Sequence, residues 1–181
     1  MRPGIAPAAR SGHQARVALS SRISMVALLA LCLLPSAAAA ERLEHPLRFF
    51  EGRTETVSTV KVVTKRPFRS RSLGRGIIRR DGSLDLQQRV EEDGEPPRDR
   101  RWLIRQVGKG RFVGTMTEAR GPVTVEEVGD RYVFRFKMKG NLAVEQWLTP
   151  LPGGKSAQNK VTIRKLGVRV GNSEGVVRKL D

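Results

Sequence analysis

Arginine side chains are the residues of this sequence best suited to chemistry, because they accumulate in one stretch without acids. No aspartate or glutamate lies between Glu55 and Asp81, and four arginines there share one parity: Arg69, Arg71, Arg75 and Arg79. Side chains of one parity lie on one face of a strand. Such a row can bind phosphate or carboxylate bidentately. It is a candidate anion-binding face; the alternative is a charged edge strand that discourages aggregation.

Aromatic side chains form the second candidate group, as the lining of a cavity for an apolar ligand. They are Trp102, Phe112, Tyr132, Phe134, Phe136 and Trp147. Ordinary core packing is the alternative. Three polar residues with the inward parity, Gln88, Gln106 and Glu118, favour a wet or liganded cavity. In a dry core each would lack a partner, which costs about 1–3 kcal/mol.

Catalytic chemistry finds little support in the sequence. Nucleophilic catalysis and zinc binding both need imidazole or thiolate groups. Beyond the first forty residues the chain has no cysteine and one histidine, His45. Several carboxylates could converge in space, but solvated partners of arginines are the simpler interpretation: Asp85, Glu91, Glu118, Glu126, Glu127 and Glu145. We predict a binding protein and not an enzyme, with no catalytic residue, metal or cofactor.

The first forty residues have the order of a Sec signal peptide. Residues 1–22 contain four arginines and no acid, residues 23–34 are apolar, and four alanines at 37–40 provide the small side chains that a signal peptidase reads. A helix of twelve residues spans about 18 Å, short of the roughly 30 Å of a bilayer core. We predict cleavage after Ala40 and a periplasmic or secreted product; Met25 is an alternative start.

Lipid anchoring is not favoured by the sequence. The only cysteine, Cys32, lies inside the apolar run and follows Leu31, where a lipoprotein needs a small residue. The predicted mature chain, residues 41–181, has thirty basic and eighteen acidic side chains. So basic a chain attracts anions, and an exported one meets anionic membrane or lipopolysaccharide surfaces sooner than nucleic acid.

Alternation of apolar and polar residues predicts an all-β fold. In residues 131–139, Tyr132, Phe134, Phe136 and Met138 share one face, as in a half-buried antiparallel strand. Similar segments recur about every ten residues and are separated by glycine, proline and aspartate. They include residues 51–63, 68–80, 84–91, 101–107, 111–119, 123–128, 142–148, 158–166 and 168–179. Eight to ten strands with short turns favour one domain, an up-and-down meander closed into a barrel; a β-sandwich is the alternative.

Several short segments, taken in order, resemble a bacterial family of exported proteins and lipoproteins that is classed as a domain of unknown function. They are residues 49–53 (FFEGR), 93–95 (DGE), 101–102 (RW), 112–115 (FVGT), 121–122 (GP), Trp147, 159–160 (NK) and 164–168 (RKLGV). The resemblance spans residues 47–178 and implies a lipocalin-like barrel in the cell envelope, without catalytic residues. This chain lacks the lipobox common in that family and is more basic.

Two hypotheses for function follow from these patterns. The first is a carrier or sensor of an apolar, anionic envelope molecule such as a lipid or fatty acid, bound in the barrel. The second is a solid-cored interaction protein whose basic face docks on anionic envelope components. The sequence leaves the identity of the ligand and the oligomeric state open.

Overall fold

The computed structural model describes residues 46–181. The predicted signal peptide, including Cys32 and the cleavage position after Ala40, lies outside the described residues, and so does His45. The described chain contains one short helix and ten strands: α1 (Pro46–Phe49), β1 (Gly52–Val62), β2 (Lys65–Ile78), β3 (Leu84–Glu92), β4 (Glu95–Gly108), β5 (Arg111–Met116), β6 (Val123–Val128), β7 (Arg131–Met138), β8 (Leu142–Pro150), β9 (Ser156–Lys165) and β10 (Val168–Lys179).

The ten strands form one closed antiparallel barrel. Each strand pairs with its neighbours in the chain, and β1 pairs with β10 from Thr54↔Lys179 to Val62↔Gly171. The predicted all-β meander closed into a barrel is therefore confirmed, and the β-sandwich is excluded. Because β2 pairs with both β1 and β3, it is not an edge strand. The interpretation of its arginines as protection of an exposed edge is wrong.

Alternation along each strand separates the inside of the barrel from the outside. In β7, Tyr132, Phe134 and Phe136 are buried in the core, while Arg135 and Lys137 are exposed. Successive side chains of a strand point to opposite faces, so every second residue of each strand points into the barrel. The inward side chains are large on β4 and β7 but small on β1, β2 and β10, where serine, threonine and glycine prevail.

Strand β4 begins earlier than the sequence predicts. The glycine and prolines of residues 93–97 predict a connection, but only Asp93 and Gly94 form the turn. The register shifts between Val90↔Arg98 and Glu92↔Glu95. A bulge of this kind tolerates proline, so the chain passes through its two prolines as a strand. Arg98 and Arg100 therefore belong to β4 and lie on its inward face, like Trp102.

Helix α1 fills the end of the barrel at which β1 begins. Leu47 and Phe49 are buried in the main apolar core. The ammonium group of Lys179 donates hydrogen bonds to the carbonyl oxygens of Arg48 (3.4 Å) and Glu51 (2.9 Å), which satisfies carbonyls at the end of the helix. No helix within residues 46–181 is long and apolar enough to cross a membrane. All described strands and the apolar core lie in residues 46–181, so a chain that begins at Glu41 contains the complete barrel.

The segment after α1 lies directly on β2 at Gly76. A Cβ atom at this position would come 1.9 Å from the carbonyl oxygen of Phe50. That oxygen belongs to the main chain, so α1 or β2 would have to move to admit a side chain. Only glycine permits this contact between the closing segment and the barrel wall.

We therefore expect Gly76→Ala to lower the free energy of unfolding by about 1–3 kcal/mol through overpacking. This corresponds to a fall in Tm of roughly 4–12 °C in thermal unfolding followed by circular dichroism. Gly108→Ala is the control, because its nearest neighbours are side-chain atoms of Arg111, beginning at 3.2 Å, which can move. Equal Tm values for the two variants would contradict the packing of this segment on β2.

Candidate ligand-binding site

A cavity of about 230 Å³ lies inside the barrel, in the half away from α1. Its inner part is bounded by the buried side chains of Trp102, Phe136 and Asn159. Toward the other end the lining becomes half-exposed, as at Val60 and Ile163. The cavity therefore opens at the end that carries the β1–β2, β3–β4, β7–β8 and β9–β10 turns, which we call the mouth.

One wall of the cavity is apolar. Its side chains come from β4, β5 and β7 to β9: Trp102, Met116, Phe136, Met138, Val144, Val161 and Ile163. The ring of Trp102 packs edge-to-face on Phe136, with centroids 5.6 Å apart and an angle of 87°, and on Phe134 at 6.3 Å. This arrangement is the favoured one for aromatic pairs and holds the indole in place.

Two hydrogen-bonded pairs, one indole–amide and one amide–amide, provide polar groups beside this wall. The indole nitrogen of Trp102 donates to Oε1 of Gln88 at 2.7 Å, and Nε2 of Gln146 donates to Oδ1 of Asn159 at 2.8 Å. These bonds satisfy groups that would otherwise be costly to bury. They also leave further amide donors and acceptors of both pairs beside the cavity.

The opposite wall is lined by hydroxyl groups. It is formed by small residues of β10, β1 and β2: Thr56, Ser58, Ser70, Ser72 and Ser173. The hydroxyl oxygen of Ser72 is buried and has no hydrogen-bond partner among the described residues. A buried hydroxyl without a partner is uncommon and marks a place where water or a ligand completes the site.

Four charged side chains form a network on the inward face between the apolar core and the mouth. Arg98 makes a bidentate pair with Glu92, with N···O distances of 2.8 and 3.0 Å, and its Nε donates to Glu118 at 2.7 Å. The Nε of Arg100 donates to the second oxygen of Glu118. Glu118 thus bridges both arginines, and the network holds two positive and two negative charges.

The network keeps Glu118 and Arg98 ionised. Burial by itself raises the pKa of the Glu118 carboxyl, but the hydrogen bonds and charges of Arg100 and Arg98 outweigh it and hold that pKa below its ordinary value. The hydrogen bond to Glu92 raises the pKa of Arg98, against the effect of burial, and Glu118 adds to this. Both groups are therefore charged at neutral pH.

Arg100 lines the cavity and has unused hydrogen-bond donors. Only its Nε is engaged; within residues 46–181 its two terminal nitrogens have no hydrogen-bond or ion-pair partner. Arg100 lies beside Gln88 in the β3–β4 register, and Ser72 lies beside Val90 in the next row of β2–β3. Guanidinium, amide and hydroxyl donors therefore line the same space. Such a set is suited to a carboxylate or phosphate group.

Seven of the nine predicted cavity residues lie on the inward side of the barrel, in three groups. Trp102, Phe136 and Gln88 line the cavity. Glu118 lies behind the lining, where it hydrogen-bonds two arginines. The remaining inward aromatic residues belong to the packed core near the closed end: Phe112, Tyr132 and Phe134.

Two predicted cavity residues lie elsewhere. Trp147 alternates with the inward Gln146 and so lies outside the barrel, where its ring is 4.9 Å from the guanidinium carbon of Arg131. Gln106 is exposed at the end of β4 and donates to the carbonyl oxygen of Gly108. The prediction that these two residues line the cavity is therefore wrong. Alternation shows which residues of a strand share a face, but it does not show which face is inside the barrel or how far the cavity extends.

The sequence interpretation missed Arg98, Arg100 and the serine wall. Arg98 and Arg100 share the parity of Trp102, so extending β4 toward its start would have found them. The two prolines before them favour a loop on sequence alone and hide this parity. Only the closed barrel shows that the serines face Trp102 and Phe136 across a cavity.

The predicted anion-binding face is only partly available. All four arginines are exposed, three of them on the outside of β2 and Arg79 directly after its end. Arg71 pairs with Glu55 at 2.7 Å and Glu91 at 3.7 Å, and Arg79 pairs with Asp85. The hydrogen bond from Arg101, with that from Arg79, outweighs burial and lowers the pKa of Asp85 to about 2, so this pair persists at neutral pH.

Arg69 and Arg75 have no ion pair among the described residues, so two of the four guanidinium groups of the row are free.

Within residues 46–181, no group of three or more histidine, cysteine, aspartate or glutamate side chains is placed to hold a metal ion.

Comparison with known proteins identifies the fold. No family model matches the chain, and no curated protein sequence matches it. Among solved structures, the S-type phycobiliprotein lyase CPES from Guillardia theta is similar, with a TM-score of 0.62 at 8% identity over 77% of this chain and 93% of that one. A protein of unknown function of the DUF3598 family from Nostoc punctiforme has a TM-score of 0.56 at 11% identity, over 77% of this chain and 50% of that one.

These likenesses and the closed sheet define a lipocalin-like β-barrel. At such low identity they establish the fold alone. The particular features of this barrel are its hollow half, its inward arginine–glutamate network and its serine wall.

The network leads to a prediction about pH. Because folding lowers the pKa of Glu118, the stabilisation from its charge is complete above the ordinary value of 4.5 and is lost as the pH falls through the folded value. We expect Glu118→Gln to lower the free energy of unfolding by about 1–3 kcal/mol at pH 7. The difference from the parent protein should shrink between pH 5 and about pH 3, as measured by denaturant unfolding at each pH.

Asp99→Asn is the matched control, because Asp99 pairs with Arg89 on the outside and its side chain is 82% exposed. It should change stability little at any pH, since exposed ion pairs contribute about 0–1 kcal/mol. A constant deficit of Glu118→Gln at all pH values would contradict the role of its charge.

Proposed function

We propose that this protein binds a small amphiphilic molecule inside the barrel, with an anionic group at Arg100 and an apolar part against Trp102, Met116 and Phe136. The observation that carries the proposal is that unused hydrogen-bond donors and an apolar wall line the same cavity. The terminal nitrogens of Arg100 and the hydroxyl of Ser72 have no partners within the described chain, yet both line this space.

Electrostatics favours an anionic over a cationic head group. Glu92 and Glu118 are already occupied by Arg98 and Arg100 through hydrogen bonds. A cation would have to displace an arginine from one of these carboxylates, whereas a carboxylate or phosphate would meet free N–H groups.

The size of the cavity limits what it can enclose. An apolar cavity of about 150 Å³ accommodates benzene, so 230 Å³ corresponds to roughly nine or ten non-hydrogen atoms. This is enough for a medium-chain carboxylate such as octanoate. A long-chain fatty acid would place only one end inside, with the remainder at the mouth.

The cavity supports ligand binding over the alternative of a solid-cored interaction protein. We propose a binding function without catalysis, because the charged side chains beside the cavity are paired with one another. The phycobiliprotein lyase is similar in fold only, and its name supports no activity for this chain.

The test is binding of octanoate by calorimetry to the chain that begins at Glu41. We expect Arg100→Gln to weaken octanoate roughly tenfold or more, since hydrogen bonds to charged groups contribute about 1.5–3 kcal/mol. Octanol, which lacks the charge, should be affected much less. Arg105→Gln is the control, because Arg105 lies on the same strand but is exposed outside.

Absence of octanoate binding, or equal weakening of octanoate and octanol by Arg100→Gln, would contradict the proposed site. Native mass spectrometry of protein purified from its own cell envelope would show whether a natural ligand of this class copurifies.

We further propose that the protein acts outside the cytoplasm. The support is the order of charged, apolar and small residues in the first forty positions. In a bacterium that expresses the full chain, N-terminal sequencing of the periplasmic protein should begin at Glu41. Ala38→Leu with Ala40→Leu should block this cleavage, since signal peptidase requires small residues there. Recovery of the intact N-terminus from the cytoplasm would contradict export.

A further inference from the structure

Three apolar side chains at the mouth of the barrel are unusually exposed. Val63 in the β1–β2 turn is 78% exposed, Leu166 in the β9–β10 turn is 84% exposed, and Val168 at the start of β10 is 66% exposed. We call these three residues the apolar tip. The two turns are joined, because the backbone nitrogen of Val63 donates to the carbonyl oxygen of Val170 at 3.1 Å.

Folding provides no reason for leucine at position 166. Lys165 pairs with Val168, so Leu166 and Gly167 form a two-residue turn with φ of 49° and 83°. Positive φ at both positions favours asparagine, aspartate or glycine, and a leucine there is strained by about 1–2 kcal/mol. A strained residue that touches little of its own protein points to a function outside the fold.

Basic side chains surround the apolar tip. Lys61, Arg66, Lys165, Arg164 and Arg169 have no ion pair among residues 46–181, and no acid occurs in residues 61–69 or 164–173. Arg164 and Arg169 lie directly opposite each other across β9 and β10, an arrangement that destabilises a sheet.

Two acids at the β3–β4 turn are already engaged. Glu95 pairs with Lys65 at 2.7 Å, and the Asp93 carboxylate accepts a hydrogen bond from the backbone nitrogen of Arg69. Neither of these acids therefore neutralises the cations around the tip.

We propose that the apolar tip inserts into the surface of an anionic phospholipid membrane, with the surrounding lysines and arginines on lipid phosphates. Exposed apolar residues ringed by cations fit the interface of such a membrane, where burial of apolar area and attraction to anionic lipid add together. An acidic protein would match the charge but offers no reason for three exposed aliphatic side chains at the tip of two turns.

Docking in this way places the mouth at the membrane. Val60 and Ile163, which line the cavity, lie three residues from Val63 and Leu166, respectively. A ligand could then pass between lipid and cavity without crossing bulk water. This last step rests on the proposed ligand binding, whereas docking itself does not.

The test measures binding of the chain that begins at Glu41 to vesicles of phosphatidylcholine, with and without phosphatidylglycerol, by sedimentation. The parent protein should bind the anionic vesicles and bind the neutral ones weakly. Leu166→Asn should weaken this binding roughly tenfold to a hundredfold, because one fewer aliphatic side chain is buried. The same variant should keep or raise Tm, because asparagine suits the turn.

Two controls separate the tip from general effects. Val107→Asn removes an exposed apolar residue, 49% exposed, beside a turn at the opposite end and should leave vesicle binding unchanged. Lys165→Gln with Arg169→Gln should weaken binding roughly tenfold or more. Lys155→Gln with Arg178→Gln removes the same charge at the opposite end and should weaken it much less.

Three results would overturn the proposal. The parent protein could fail to bind anionic vesicles, Leu166→Asn and Val107→Asn could change vesicle binding equally, or only the charge variants could weaken vesicle binding. The last result would indicate a purely electrostatic surface, as for an acidic protein. Octanoate binding by Leu166→Asn in vesicle-free solution should match the parent protein, so failure of the cavity and failure of the tip are distinguishable.

Discussion

Pairing between β1 and β10 is the constraint on which the rest of the structure depends. It joins the first and last strands of the described chain and converts a meander into a closed sheet without an edge. The approach is close: a Cβ atom at Gly175 would lie 2.1 Å from the carbonyl oxygen of Val57. Glycine and serine on this side of the barrel allow the contact, and their small size leaves the interior unfilled beside them.

The hollow half of the barrel results from this difference in side-chain size between the two sides of the barrel. Near α1, large side chains such as Leu84, Ile104 and Tyr132 fill the barrel and provide the core. Toward the mouth, aromatic and aliphatic groups of one wall face hydroxyl groups of the other, and the space between them is the cavity. One sheet thus supplies a packed core at one end and a cavity at the other.

Charge is divided between the inside and the outside in a similar way. Inside, Glu118 bridges the half-buried Arg98 and Arg100, which offsets the cost of removing their charges from water and still leaves the terminal N–H groups of Arg100 unpaired. Outside, acids neutralise Arg71 and Arg79, whereas the cations at the apolar tip have no such partners in the part of the chain that the structure describes. The positions of the acids therefore decide which arginines form ion pairs within the protein and which remain available to bind other groups.

The sequence by itself determined the all-β fold, the alternation of each strand and the closed meander, because side-chain parity is a local property of an extended chain. It also placed Trp102, Phe136 and Gln88 on the inward face. Only the tertiary structure decided that Trp147 lies outside, that Arg98 and Arg100 lie inside and that serines face an apolar wall. Those facts depend on strand register and barrel closure, which bring together residues far apart in the chain. The exposure of Leu166 likewise became informative only when its turn and its neighbours at the mouth were known.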